Sequence, residues 1–471
     1  MTSPDTLKVG TPFDPADARR TAEAPRLEAS LDDKKPLMSA QQALAEANRC
    51  LYCADAPCIK ACPTAIDIPT FIRKISTGNL AGSARAILDA NILGLSCARV
   101  CPTEVLCEGD CVYNEMDSPP IKIGKLQRVA TEYAYDRGLQ FFERGAARPG
   151  RVAIVGGGPA GLACAHELAR LGFESVIFEG RELPGGLNST GVAPYKLQLP
   201  DAIREVSYVL EIGGIELRTG VKVGQDLTFA QLEADFDAIF VGVGLGPDGV
   251  LDIEGEDLEG VVGATVWIER MKLEPGFGLG GVKKAAIIGG GNTAIDVVRE
   301  LRGLGVDDVV MIYRKDGAAM SGYEHEWSAA RIEGARAQFW TQPVGFTGEG
   351  GKVTGVRCLS LKPMGPDESG RAWVEPIPGS ESVIGADLVV LAVGQSKLES
   401  MMSAVEGLAF DKGRLVVDAE TGQCSNPRYF AGGDCANGGK EVVNAAAEGK
   451  RAARGLARFL DARAQQEADH G

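Results

Sequence analysis

Cys50-Leu-Tyr-Cys53-Ala-Asp-Ala-Pro-Cys58-Ile-Lys-Ala-Cys62-Pro63 and Cys97-Ala-Arg-Val-Cys101-Pro102-Thr-Glu-Val-Leu-Cys107-Glu-Gly-Asp-Cys111 together decide the reading of this chain. Eight of its 12 cysteines stand in these two groups, each with three short intervals and one Cys-Pro step. Cysteines so closely spaced can aim successive sulfurs at the corners of one cubane, and a Cys-Pro ending is that of bacterial cluster-binding runs, in which the last cysteine serves the other cluster. The pattern predicts two [4Fe–4S] clusters in one small unit. Structural zinc asks for four ligands in paired spacings and does not call for eight interleaved cysteines. Disulfides need a secretory context.

Around this stretch, 471 residues suffice for about three domains. A net charge of -15 argues against nucleic acid and against an anionic membrane surface as partner. No apolar run reaches the ~20 residues that span a bilayer, and the first residues hold no signal-like apolar core. A reducing, cytoplasmic location is the expectation.

Residues 1–37 are polar and proline-dotted and read as an extended N-terminal arm. Ser39-x-x-Gln42 is a capping-box signature for a helix delivering Cys50. Pro69 marks another helix start, with Phe71, Ile72 and Ile75 at helical spacing, and a further helix covers residues 81–90. Residues 38–145 are therefore expected to form a helical double-cluster domain.

Beyond a linker at 144–150, the pattern becomes α/β. Arg151–Val155 is a strand, Gly156-Gly-Gly158-Pro159-Ala160-Gly161 opens a helix, and the next strand ends on Glu179. This is the dinucleotide fingerprint in its βαβ context. Gly156 permits the tight turn, Gly158 lets backbone approach a pyrophosphate, Gly161 lets helix and strand pack, and Glu179 is placed for a ribose. The pattern recurs: a strand at 283–288, then Gly289-Gly-Gly291-Asn292-Thr293-Ala294 and a helix, then a strand ending on Arg314-Lys315. Apolar strands ending in glycine follow both copies, at 238–244 and at 388–394, the latter closing on Gly394. Tyr429-Phe-Ala-Gly-Gly433-Asp434 places Asp434 beside a flavin ribitol chain, with a helix at 445–460 aimed at the flavin, and Gly186 is a further candidate in the flavin site. The expected division is an FAD domain at 146–275 and 395–471, with an NAD(P)H domain at 276–394 between them. Arg314 and Lys315 stand where an acid would select NADH, which favours a 2′-phosphate and hence NADPH. The bland alternative is a pair of solvated surface charges.

Over nearly its whole length the chain resembles the glutamate synthase small-subunit superfamily, and within it the electron-input branch of dihydropyrimidine dehydrogenase. The carrying motifs are Cys50-Leu-Tyr-Cys53, Ala61-Cys62-Pro-Thr-Ala-Ile-Asp-Ile-Pro69, Ser96-Cys97-Ala-Arg-Val-Cys101-Pro-Thr, Ile121-Lys-Ile-Gly-Lys-Leu-Gln127 and both glycine turns. The glutamate synthase branch tends to carry an acid where Gln127 stands. The resemblance implies one cluster on Cys50, Cys53, Cys58 and Cys111 and another on Cys62, Cys101, Cys107 and the side-chain oxygen of Gln127. Cys97 is then buried packing, although counting sulfurs alone would make it a ligand. It further implies hydride transfer from NADPH or NADH to FAD, one-electron transfer through the clusters, and a separate FMN-containing TIM-barrel subunit with further clusters that reduces uracil or thymine. A glutamate synthase small subunit, or a donor to another reductase, is the alternative. Hydride transfer needs no side-chain acid or base, so no catalytic residue is named. His166 reads as core, and Glu324-His325-Glu326 as surface unless it lines the nicotinamide site. Cys164, Cys358, Cys424 and Cys435 read as packing, with Cys435 near enough to Asp434 to touch the flavin site.

Overall fold

The computed structural model describes residues 8–366 and 372–470; the first seven residues of the arm lie outside them. The cysteine-rich segment is helical, with helices Ala40–Ala47, Ile68–Ser76, Leu80–Ala90, Gly94–Val100 and Ile123–Asp136. The capping box at Ser39 is formed: its Oγ accepts from Gln42 N and its own N–H donates to Gln42 Oε1. Asp67 caps the next helix, which buries Phe71, Ile72 and Ile75 against Ile87, Leu126 and Ala130. Each such side chain contributes about 1.5–3 kcal/mol.

A six-stranded sheet comes next, in the order Thr11–Pro12, Ile215–Thr219, Glu174–Phe178, Arg151–Val155, Ala238–Val241, Tyr429–Ala431. All its neighbours are parallel except the first pair. The helix Pro159–Arg170 and the C-terminal helix Val442–His470 pack together over one face, burying Leu162, Ala163, Ala453 and Leu456. A second sheet, parallel throughout, has the order Val261–Gly263, Leu388–Leu391, Lys284–Ile288, Asp308–Ile312, Arg336–Gln338. Two strands of chain cross between the sheets side by side: Gly246 N donates to Ser396 O (2.9 Å), Ser396 N to Pro247 O (2.9 Å) and Gly249 N to Gly394 O (2.7 Å).

Four features differ from the sequence reading. The arm is not simply extended, because Asp14 caps a helix Pro15–Ala22 with proline in its first turn, and Ala18, Ala22 and Leu31 are buried. The expected boundary at 275/276 falls too late: strand Val261–Gly263 pairs with Leu388–Leu391, and helix Ala264–Leu273 buries Trp267, Ile268 and Met271 in the core of the second sheet. An antiparallel sheet built from Thr341–Glu349, Lys352–Pro366, Ala372–Pro376 and Ser382–Gly385 is inserted before the strand Leu388–Leu391. The C-terminal helix also runs well beyond the expected 445–460.

Candidate functional site

The helical segment encloses two neighbouring cavities. Cys50, Cys53, Cys58 and Cys111 line the first, with Ile68 and Ile72 behind them. Tyr52 takes a left-handed conformation (φ 52°), which turns the chain sharply between Cys50 and Cys53, and its hydroxyl donates to Ala47 O at 3.2 Å. Cys62, Cys97, Cys101, Cys107 and Gln127 line the second, with Val443 of the C-terminal helix. The helix Gly94–Val100 carries Cys97 and presents Cys101 at its C-cap. Gln127 is buried on helix Ile123–Asp136, and its Nε2 donates to Gly94 O at 2.8 Å. With the nitrogen held by a carbonyl, the oxygen is the end left for the cavity.

The helix that carries Cys97 is itself held from another helix, Leu199–Leu210. Buried Glu205 accepts from Leu95 N (3.0 Å), from Ser96 N (3.1 Å) and from the Ser96 hydroxyl, so its carboxyl satisfies donors at the start of helix Gly94–Val100. Burial nevertheless pushes its pKa up to about 7, with the three hydrogen bonds opposing. Arg99, one turn on, is buried against Glu132 and Asp201.

The donors suit clusters better than single ions. Among the described residues, no three of His, Cys, Asp and Glu converge closely enough to hold one metal ion, whereas four cysteines line the first cavity and four cysteines with Gln127 line the second. Burial, then the neighbouring Cys50, Cys111 and Cys53, push the Cys58 thiol up to about 12. Cys107 is raised by burial and then by Cys101, Glu108, Cys62 and Cys58, which places it between the two groups. Cys101 is raised by a hydrogen bond with Cys97 and by burial. Ionising so many packed thiols needs compensating positive charge, which iron would supply when bound.

The first glycine turn is built for a dinucleotide. Gly156 has φ +105°, and a Cβ on Gly161 would lie 2.0 Å from Gly156 O, so the helix can approach only without a side chain there. Gly158 is the N-cap of helix Pro159–Arg170, with Ala160 buried behind it, and a Cβ on Gly158 would meet nothing closer than Gly186 Cα at 3.7 Å. The Gly185-Gly186 loop closes over this turn through Gly185 N to Gly157 O (2.8 Å). Glu179 is buried at the strand end, but its carboxylate also has a local duty: it accepts from Gly157 N and Arg181 N, each at 2.8 Å, and so ties the turn to the strand end. Gly433 donates its N–H to Glu448 Oε2 (2.7 Å), and a Cβ on it would lie 3.1 Å from Ala160 Cβ, which puts Asp434 beside the same turn. Cys435 points away, with its thiol on Val241 O and Gly432 O in the core.

The second turn repeats the geometry. A Cβ on Gly289 would strike Ala392 O at 2.3 Å, and Gly291 caps helix Asn292–Gly303, with Thr293 exposed and Ala294 buried. Gly394 lies just beyond, with open space where a Cβ would be. Arg314 is exposed and Lys315 half-buried after strand Asp308–Ile312, and neither side chain has an ion-pair partner among the described residues.

Sequence reasoning missed several residues here. Glu205 is a polar position inside a helix, and only its three-dimensional neighbours reveal the cap. Lys272 is fully buried, donating to Asn188 O, Val192 O and Leu197 O, and burial pulls its pKa down to about 8. His166 is core as expected, packed on Phe142 and pulled down to about 3 by burial. The surface reading of Glu324-His325-Glu326 is corrected: Glu326 is buried on Lys196 and Arg299, and His325 reaches Glu104 at 3.4 Å.

Comparisons with known proteins agree with this geometry. Residues 27–139 match the family described as dihydropyrimidine dehydrogenase domain II, 4Fe-4S cluster, and residues 150–449 match the pyridine nucleotide-disulphide oxidoreductases. The glutamate synthase [NADPH] small chain of Escherichia coli is 35% identical over 436 residues, covering 89% of this chain and 92% of that protein. The NAD-dependent dihydropyrimidine dehydrogenase subunit PreT of Escherichia coli is 34% identical over 433 residues, covering 92% and 97%. Among solved structures, Mycobacterium tuberculosis FprA in complex with NADPH shares the fold, with a TM-score of 0.56 at 21% identity over 68% of this chain and 86% of that one. Among the described residues no helix is long and apolar enough to cross a membrane. With a 4Fe–4S domain ahead of two dinucleotide turns, the chain belongs to the pyridine nucleotide-disulphide oxidoreductases, as an NAD(P)H-dependent iron–sulfur flavoprotein of the group that includes glutamate synthase small chains and dihydropyrimidine dehydrogenase subunits.

Proposed function

We propose that this chain is the electron-input subunit of an NAD(P)H-dependent dihydropyrimidine dehydrogenase. It would deliver electrons to a separate FMN-containing barrel subunit that reduces uracil or thymine. The observation that supports this reading is the lining of the second cavity, where Gln127 stands with Cys62, Cys97, Cys101 and Cys107 and has its amide nitrogen already anchored on Gly94 O. In the proposed ligand sets, Cys50, Cys53, Cys58 and Cys111 hold one cluster, and Cys62, Cys101, Cys107 and Gln127 hold the other. Cys97 remains beside Cys101 without binding iron.

When bound, FAD and the clusters supply hydride acceptance and one-electron carriage. The protein's part is placement. The N-terminus of helix Pro159–Arg170 faces the FAD pyrophosphate with its unpaired N–H groups, Glu179 holds the turn rigid, and Asp434 orients the ribitol chain. Gly289–Ala294 receives the nicotinamide dinucleotide, and Arg314 with Lys315 offers charge to a 2′-phosphate. Val443, on the helix that starts beside the flavin turn, lines the second cavity, so a cluster held there would be the one nearer to a bound flavin.

A second reading, the small subunit of a glutamate synthase, is favoured by the 35% identity to that chain in Escherichia coli. The two are separated by assay. The purified chain should oxidise NAD(P)H with an artificial acceptor and leave uracil untouched, and uracil should be consumed only when an FMN-containing partner is added. Uracil reduction by the isolated chain would overturn the proposal, as would recovery of an amidotransferase partner that makes glutamate.

A further inference from the structure

The segment 321–326 joins two sites that lie far apart in the sequence. At one end it lies on the second glycine turn: Gly322 N donates to Gly290 O at 3.0 Å, and a Cβ on Gly322 would come 3.1 Å from the Gly291 carbonyl carbon and 3.3 Å from Asn292 N. Backbone therefore touches backbone. Tyr323 N also donates to Asn292 Oδ1 at 2.8 Å.

At the other end the same segment reaches the second cysteine cavity twice. The Tyr323 hydroxyl donates to Glu441 Oε1 at 2.8 Å, immediately before the helix whose Val443 lines that cavity. The Tyr323 ring stacks on His325 (5.7 Å between centroids, 11° between planes), and His325 Nε2 lies 3.4 Å from Glu104 Oε2. Glu104 belongs to the short turn Thr103–Val105, between Cys101 and Cys107, and Thr103 also lines the cavity. Two polar contacts thus leave one short loop for the two elements that flank the cavity, and two more fasten that loop to the turn expected to bind the nucleotide.

We infer that residues 321–326 form a strap that reports nucleotide occupancy to the second iron–sulfur site. The inference rests on the nucleotide reading of the Gly289–Ala294 turn. A dinucleotide seated there orders Gly290 and Asn292. It thereby orders Tyr323 and His325, and with them the segments 103–108 and 440–443. Coupling of this kind is reciprocal, so the state of the cluster site feeds back on nucleotide affinity by the same factor. Tyr323 and His325 act as positioning residues, since they are placed here on Glu441 and Glu104 and not on the reacting atoms.

The test is hydrogen–deuterium exchange of the oxidised holoprotein with and without NADP+ or NAD+. Nucleotide should slow exchange at 289–294 and also at 103–108 and 440–443. The double variant Tyr323→Phe/His325→Ala, checked for unchanged iron content and flavin absorbance, should keep the protection at 289–294 and lose it at both distant segments. Should that variant fail to fold, His325→Ala alone removes the Glu104 contact and the ring stacked on Tyr323 while leaving the Tyr323–Glu441 hydrogen bond in place. It should lose protection at 103–108 while keeping it at 440–443. Distant protection that survives in these variants, or its absence from the wild type, would overturn the strap. No protection at 289–294 in the wild type would remove the nucleotide reading and the strap together.

Discussion

Glu205→Ala should loosen one helix of the iron–sulfur unit without unfolding the rest. Glu205 is 1% exposed and satisfies Leu95 N, Ser96 N and the Ser96 hydroxyl at the start of helix Gly94–Val100. The substitution leaves two backbone N–H groups buried without partners, at about 1–3 kcal/mol each, and relieves part of the cost of burying a carboxyl; the net loss is about 3 kcal/mol. Because the same helix carries Cys97, presents Cys101 and offers Gly94 O to Gln127, the loss is local to the second cavity. The assay is amide exchange of the holoprotein together with iron content. About 3 kcal/mol is about a hundredfold faster opening at residues 94–101, with faster loss of iron from one cluster of the two. The wild type adds a check of sign. Because burial raises the Glu205 pKa to about 7, the native state binds the proton more tightly than the unfolded chain. The contribution of this group is full below the ordinary carboxyl range and fades as pH rises through about 7. Glu205→Gln should flatten that dependence. Exchange at 94–101 changed by less than about threefold in Glu205→Ala, with iron retained, would refute the capping argument.

Other substitutions test the sites one at a time. Cys97→Ala should retain about eight irons per chain, while Gln127→Ala should lose about four, both read by iron analysis and visible absorbance. Gly161→Ala brings a methyl group to 2.0 Å from Gly156 O and should yield protein with little bound FAD, measured from its flavin spectrum after desalting. Arg314→Ala should raise the KM for NADPH about tenfold and leave NADH nearly unchanged, in steady-state assays with an artificial acceptor. An equal effect on both nucleotides would make Arg314 a surface charge.

Much of the architecture was legible because it rests on local rules. Cysteine spacing marked the cluster unit, and glycine turns between an apolar strand and a helix marked both dinucleotide sites. The grouping of the cysteines was not a matter of spacing: Cys111 turns back to the first cavity, while Cys62 joins Cys97, Cys101 and Cys107 at the second, which only the folded helices bring about. The helix at Pro15–Ala22 carries a readable signal, Asp14 before Pro15, in an otherwise polar stretch. The inserted antiparallel sheet was hidden because its strands are largely exposed and carry no clean alternation, with Trp373 and Val383 facing solvent. The boundary at 275/276 was misplaced because Val261–Gly263 is too short to stand out from a loop, and its partner Leu388–Leu391 lies far along the chain. Buried Glu205, Lys272 and Glu326 were unreadable for a common reason: each is a charge whose partners come from other segments of the chain.

The central claim is that this chain feeds electrons from NAD(P)H into a separate pyrimidine-reducing subunit. The most direct test is to capture the chain with its bound partners from its native cells and assay the complex with NADPH or NADH and uracil. An FMN-containing partner, with uracil consumed in step with nucleotide oxidation, is the predicted result. A complex that leaves uracil intact and instead forms glutamate from 2-oxoglutarate and glutamine would contradict it.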